Sequence, residues 1–380
     1  MTEPNSQPAD NPYLRRQKRL AQTLPKSGLD VIALNPGPTL EYLTGLKFHL
    51  SERPVIALFA PDTPVQIFHP ELESAKLANL PFPSRGFAYG EDPDTWVSIF
   101  QDGFQQAGLP LSPRVGIEPR QLRVLEYSLL QSAAHQAQFF PAGETLNELR
   151  MYKDHDELLA IKKAIEIAEA ALLATLPTIK IGMTERQVAS ELVQQLFKAG
   201  SDPELPFSPI VSAGPNSANP HASPSDHPLQ SGDLLVIDWG ASHAGYISDL
   251  TRTFAIGEAE PEYPRIAEIV LQANTAGRKA AGPGVSAEDV DRAARSVIDQ
   301  AGYGRYFTHR TGHGIGRESH EEPYIRAGNS MTLAPGMVFT IEPGIYIPDK
   351  NGVRIEDNVV ITADGAECLS SLPRELLAIG

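Results

Sequence analysis

Short apolar runs and segments of helical spacing alternate through the first third of the chain. Residues 30–34, 54–59, 65–68, 114–117 and 138–140 read as strands, and residues 15–24, 39–43, 71–77, 95–107 and 122–132 as helices. That alternation predicts an α/β domain around a mixed sheet over residues 12–148. The polar, Pro-rich residues 1–11 ahead of it read as a disordered tail. A linking helix over 146–152 then leads into a second domain, 149–380. Its first long element is a helix over 156–176, where Leu158, Ile161, Ile165, Ala168 and Leu172 recur at steps of three and four and Pro177 stops the run. The charges Lys162, Lys163, Glu166 and Glu169 read as that helix's solvated face. A partner helix over 184–199 opens with Thr184 and Gln187 at capping-box spacing. Residues 206–228, rich in Pro, Ser, Asn and Ala, read as a long polar loop holding His221 and His227. Two more helices follow, over 263–280 and 286–302, the latter with Ser286 and Asp289 placed as a cap.

Two hairpins stand out from this background. In the first, Leu234 to Ile237 form an apolar run that ends at Asp238, and a second strand carries Asp249 and then Thr251 to Thr253. A turn centred near His243 and Ala244 predicts that the two aspartates face each other. In the second, Met337 to Pro348 and Gly352 to Thr362 are joined through Asp349, Lys350 and Asn351, and position 349 is midway between Glu342 and Glu356. An Asp at a strand end is ordinarily a turn residue, and a Glu before Pro ordinarily marks an edge. Four carboxylates at mirrored positions, with His313 between glycines in the stretch HRTGHGIG, instead point to a cation, because like charges that close in a core require one. Oxygen donors with one imidazole suit one or two divalent ions of the Mn, Co, Zn or Fe type better than a Cys-rich structural zinc site.

Composition narrows the partners. The 380-residue chain carries a formal net charge of −15 and a pI near 5.1, which disfavours a nucleic-acid backbone. The single cysteine, Cys368, excludes an intrachain disulfide and fits a reducing cytoplasm. No basic segment followed by an apolar one heads the sequence, so no signal peptide is expected, and no apolar run reaches the roughly 20 residues of a membrane span.

The strings NPHASPSD, DWG, SDLTRT, HRTGHGIG, HEEP, IEPG and VRIED, in that order, resemble the successive motifs of the pita-bread metallopeptidases, and among them the Xaa-Pro aminopeptidases and Xaa-Pro dipeptidases (prolidases). The resemblance is strong over residues 150–380 and weaker over the N-terminal part, which looks like the creatinase/prolidase N-terminal module. It implies an α+β protein whose pseudo-symmetric C-terminal domain is a curved antiparallel sheet covered by helices. It also implies two divalent metal ions, manganese foremost, bridged by a hydroxide that attacks the bond between an N-terminal residue and a following proline. Carried over residue by residue, Asp238 would bind one metal, Asp249 and Glu356 would bridge, and His313 and Glu342 would complete the second. His221, His309 and His320 match the family's non-ligand histidines, and Glu342 would relay a proton. Arg354 would steady a bridging carboxylate. A homodimer acting on short peptides or dipeptides with proline second is implied too. Arg317 departs from the family pattern, in which an apolar residue commonly follows GHGIG. The rival readings are a binding protein on the same fold that has lost its ligands, creatinase-like metal-free hydrolysis, and an aminopeptidase without proline specificity. The intact ligand set disfavours the first two.

Overall fold

The computed structural model describes residues 11–380, so the tail expected over 1–11 lies outside the described residues except for Asn11. Asn11 is the N-cap of the helix Pro12–Thr23, where its side chain accepts from the Tyr13 and Leu14 amides. That helix begins three residues earlier than expected, because a proline in the first turn costs no hydrogen bond. The chain divides into two compact units, Met1–Arg150 and Met151–Gly380.

In the first unit six strands form a mixed sheet in the order Ser84–Tyr89, Val65–Pro70, Ile56–Phe59, Val31–Leu34, Arg114–Ile117, Gln138–Pro141. The central Val31–Leu34 strand runs antiparallel to Ile56–Phe59 and parallel to Arg114–Ile117. Its unbroken apolar run is explained by burial on both faces. Ile32 and Leu34 pack with Leu20 and Leu40 on one side, whereas Val31 and Ala33 pack with Phe100 and Phe104 on the other. The strand Ser84–Tyr89 was not expected; it lies at the sheet edge, largely exposed, with no apolar alternation to betray it. The segment Glu71–Leu77, expected to be helical, is 3-10 helix.

The second unit repeats one plan, a pair of helices followed by a sheet that is antiparallel except where Leu377–Ile379 runs parallel to Leu250–Ile256 at the edge of the first. Helices His155–Thr175 and Glu185–Ala199, each opened by a capping box, cover a sheet ordered Leu377–Ile379, Leu250–Ile256, Leu234–Trp239, Ile210–Ala213. Ile161, Leu172 and Leu192 meet Leu235, Ile237 and Trp239 in that layer, and the buried Trp239 indole donates to the Ala168 carbonyl at 2.8 Å. Helices Glu262–Ala280 and Ala287–Gln300 accompany the second sheet, ordered Glu321–Ile325, Gly312–Gly314, Val338–Ile341, Asp357–Ile361, Ala366–Cys368. The segment read as a polar loop contains the strand Ile210–Ala213, which pairs with residues 235–238. Glu169 is no mere solvated charge: it accepts from the Ser371 and Leu372 amides and the Ser371 hydroxyl, tying down the C-terminal segment. The two halves meet at an isolated bridge between Thr251 and Glu356. No described helix is long and apolar enough to cross a membrane.

Candidate metal centre

The first hairpin turns one residue later than its sequence suggested. Ala244 and Gly245 both have positive φ, 51° and 75°, as a two-residue turn matched to strand twist requires. A Cβ on Gly245 would also collide with the Arg317 guanidinium, 2.5 Å away. The later turn pairs Asp238 with Thr251 rather than with Asp249. The aspartates therefore sit diagonally on one face instead of directly opposite, and Asp249 occupies the gap between the strands Tyr246–Ile247 and Leu250–Ile256. The second hairpin keeps the expected register. Ile341 pairs with Asp357 and Gly344 with Arg354, and the intervening break leaves Glu342 opposite Glu356. The Thr251–Glu356 bridge then brings the two hairpins together, and the Thr251 hydroxyl donates to Glu356 Oε2 at 2.7 Å.

His313 comes from the short strand Gly312–Gly314, where both glycines are required by close strand approach: a Cβ would sit 1.8 Å from the Thr340 carbonyl at Gly312 and 2.2 Å from that of Glu322 at Gly314. Its Nδ1 is 3.2 Å from the Gly314 carbonyl and so carries the proton, which leaves Nε2 with its lone pair 3.5 Å from Glu342 Oε1 and 3.7 Å from Asp249 Oδ2. Burial, then the nearby His320 and Arg310, hold His313 well below the ordinary histidine range, in the neutral form that ligates metals.

Every sequence-predicted site residue lines one cavity of about 580 Å³. Asp249, His313 and Glu356 each offer a ligand atom within 4.8 Å of the others. Asp238 Oδ2 accepts from Arg354 Nη2 at 2.6 Å, while Oδ1 is buried with no hydrogen-bond partner. Arg354 thus steadies Asp238 rather than either expected bridging carboxylate, and its other donors reach the Thr251 and Tyr346 hydroxyls and the Pro220 carbonyl. Burial, reinforced by the neighbouring carboxylates, pushes Asp249 and Glu356 well above the usual carboxylate range. Asp238 is raised by burial against the pull of Arg354. Glu342 is pushed up to about 7, again by burial against Arg354. A set of acids that cannot all ionise together, an orphaned carboxylate oxygen and a lone imidazole nitrogen aimed among them are the donors a divalent cation takes, so the residues fit the expected metal.

The remaining predicted residues surround these donors. His309 is held near pKa 3 by burial and then by Arg354. Its Nδ1 donates to the Arg310 carbonyl at 2.7 Å, so Nε2 accepts from the Tyr346 hydroxyl at 2.9 Å. His320 meets His313 edge to face at 4.2 Å. His221 stands on the cavity wall beside Pro220. Arg317 does not line the cavity; it stacks over the Tyr246 ring, 5.0 Å from its centroid, behind the first hairpin's turn. Sequence reading missed Tyr346, Arg310 and Arg252. The last was legible only as part of the string SDLTRT; its Nη1 donates to the Thr251 and Glu356 carbonyls at 2.8 and 2.7 Å and its Nη2 to Asp357 Oδ1 at 2.9 Å.

Paired carboxylates around a histidine, on two mirrored sheet-and-helix halves, are the donor set of a divalent-metal enzyme. Residues 160–363 match the model of Metallopeptidase family M24 and residues 16–152 that of the Creatinase/Prolidase N-terminal domain. The chain belongs to metallopeptidase family M24, with the pita-bread catalytic fold that the sequence led us to expect. It is 37% identical to the Xaa-Pro dipeptidase of Lactobacillus delbrueckii subsp. lactis, over 94% of this chain and 97% of that one. A prolidase structure from Thermococcus sibiricus superposes with a TM-score of 0.91 at 34% identity, covering 98% of this chain and all of its own. An X-Pro aminopeptidase from Thermotoga maritima does so at 0.83 and 31%, covering 96% of this chain and 99% of that one.

Proposed function

We propose that the protein is an Xaa-Pro dipeptidase that holds two divalent cations, manganese foremost with Co, Zn or Fe as alternatives, and acts as a homodimer in the cytoplasm. The observation that carries the reading is the neutral His313 with Nε2 directed among the carboxylates of Asp238, Asp249, Glu342 and Glu356. Asp238 would hold one ion, Asp249 and Glu356 would span both, and His313 and Glu342 would hold the other. When bound, the ions supply an acidified water as nucleophile and polarise the scissile carbonyl.

The chain's own groups do the rest. Glu342 takes the proton of the nucleophile and passes it to the leaving proline nitrogen. His320 donates to the carbonyl oxygen as negative charge develops there. His221 borders the position of the substrate's proline. That imide nitrogen has no hydrogen to grip, so recognition falls to the ring. Phe207, Ile210 and Pro220 supply an apolar wall for it. Arg310 supports a dipeptide over a longer peptide. It lines the same cavity, its guanidinium rests 4.7 Å from the Tyr324 ring centroid, and it makes no ion pair among the described residues. A free C-terminal carboxylate on the proline is the partner such a cation takes.

Cleavage of Ala-Pro, Ala-Pro-Ala and Met-Ala by metal-stripped protein resupplied with each ion tests the reading. Metal-dependent release of alanine from Ala-Pro above the other two is expected. No cleavage of Ala-Pro with any of the ions, or equal cleavage of Met-Ala, overturns it. Light scattering tests the dimer; a monomer removes it.

A further inference from the structure

The residues that carry the ligands sit where the backbone ladders fail. Asp249 lies in the gap between the strands Tyr246–Ile247 and Leu250–Ile256, and Glu342 and Glu356 lie where the pairing of Val338–Ile341 with Asp357–Ile361 stops before that of Gly344–Tyr346 with Gly352–Arg354 begins. Peptide groups in such gaps are buried and must find other partners. Two wholly buried asparagines provide them. The Asn358 side chain accepts from the Asp249 amide through Oδ1 at 3.2 Å and donates through Nδ2 to the carbonyl of the same residue. It therefore does with a side chain what an opposing strand does with its backbone, one rung beyond the Glu356 amide to Thr251 carbonyl bond at 3.1 Å. Asn274, from the helix Glu262–Ala280, donates to the Ile341 carbonyl at 3.0 Å and the Ile355 carbonyl at 3.4 Å, the residues immediately before Glu342 and Glu356. Its own oxygen is held by Arg278 Nε at 2.7 Å.

We infer that Asn358 and Asn274 are positioning residues for the metal centre, substitute rungs that set the spacing of Asp249, Glu342 and Glu356 across the two halves. Asn358 joins a ligand residue of the first sheet to a strand of the second, and Asn274 fixes the two ligand strands of the second to each other. Neither touches the cavity. Their effect passes through backbone, so it falls on how the carboxylates converge and not on their chemistry. Groups that orient ligands without binding the ion typically govern metal affinity by roughly 10- to 100-fold.

The test measures metal binding rather than turnover. Asn358→Ala and Asn274→Ala are compared with Leu196→Ala, which opens a cavity in the helical layer away from the site. Manganese titration calorimetry and unfolding with and without the ion are read for each. Both asparagine variants should lose about 10- to 100-fold in affinity and show a reduced metal-induced rise in melting temperature, whereas Leu196→Ala should melt lower with and without metal by the same interval and bind as the unaltered protein does. Asn358→Asp keeps size and the acceptor for the Asp249 amide but loses the donor, and it should show the same deficit should Asn358→Ala fail to fold. Asparagine variants that bind manganese as tightly as the unaltered protein while melting lower, in the manner of Leu196→Ala, overturn the assignment.

Discussion

Glu342 offers a quantitative check on the electrostatics of the metal-free centre. Burial raises its carboxyl from 4.5 to about 7, so the folded protein holds this proton more tightly than the unfolded chain does. A group raised in this way stabilises fully below its unfolded pKa and withdraws that stability as pH climbs through the folded one. Relative to Glu342→Gln, whose amide does not titrate, metal-free protein with the natural residue should lose less than about 1 kcal/mol by pH 5 and about 3 kcal/mol by pH 8, at roughly 1.4 kcal/mol per tenfold in proton affinity. His309 and His313 act with opposite sign, since burial keeps them neutral while the unfolded chain protonates below about 6.5. His313 and His309 lie 3.5 and 3.9 Å from Glu342, so the substitution shifts them too, and the difference between the two proteins reads the buried cluster as a unit. Urea unfolding of chelator-treated protein, followed by the buried Trp239 in a Trp96→Phe background, measures the difference in the catalytic unit alone. Manganese should then invert the order at pH 8, because the glutamine variant lacks a ligand oxygen. A difference that stays flat from pH 5 to pH 8, or that grows in favour of glutamate, refutes the reasoning.

Other consequences can be measured separately. Arg310→Gln should raise KM for Ala-Pro by roughly tenfold or more, as loss of a charge-assisted hydrogen bond worth about 1.5–3 kcal/mol requires, while leaving KM for Ala-Pro amide unchanged; a parallel rise for both substrates contradicts a carboxylate anchor. Removing the buried partner of Asp238 by Arg354→Met should destabilise metal-free protein by about 3–5 kcal/mol, and denaturant titration giving less than 1 kcal/mol would show that Asp238 finds another partner. His313→Ala should abolish metal-dependent release of the N-terminal residue, and full activity in the metal-stripped variant would remove His313 from the ligand set. Burial raises the Asp357 pKa, but Arg252 and Arg374 together outweigh it and lower the net value. Its stabilisation is present above the unfolded carboxylate pKa and lost as pH falls through the lower folded value. Asp357→Asn should therefore be most destabilising at neutral pH and converge with the unaltered protein in acid unfolding below about pH 4.

The two hairpins show what linear spacing can and cannot convey. Mirror symmetry about position 349 located Glu342 and Glu356 correctly, because that turn is centred where the sequence is. The same construction failed by one residue in the first hairpin, where the positive-φ pair Ala244 and Gly245 sets the turn and only the glycine advertises it. The diagonal placement that results still converges, since strand alternation keeps positions 249 and 251 on one face. Asn274 and Asn358 left no trace at all, and Arg252 left only its place in the string SDLTRT. Their partners are backbone groups up to about a hundred residues away, and a side chain that replaces a ladder bond creates no periodicity. The strand Ser84–Tyr89 escaped for the opposite reason, its mixed and exposed composition lacking any pattern.

The Thr251–Glu356 bridge has a bearing on how the molecule is made. These residues are 105 positions apart, so when Asp238 and Asp249 leave the ribosome the histidine and both glutamates have yet to be synthesised. The nascent first half carries acids with no complete cradle, and a chain cut before Glu356 cannot assemble one. Cation capture at this centre therefore waits on a polypeptide whose second sheet has closed against its first.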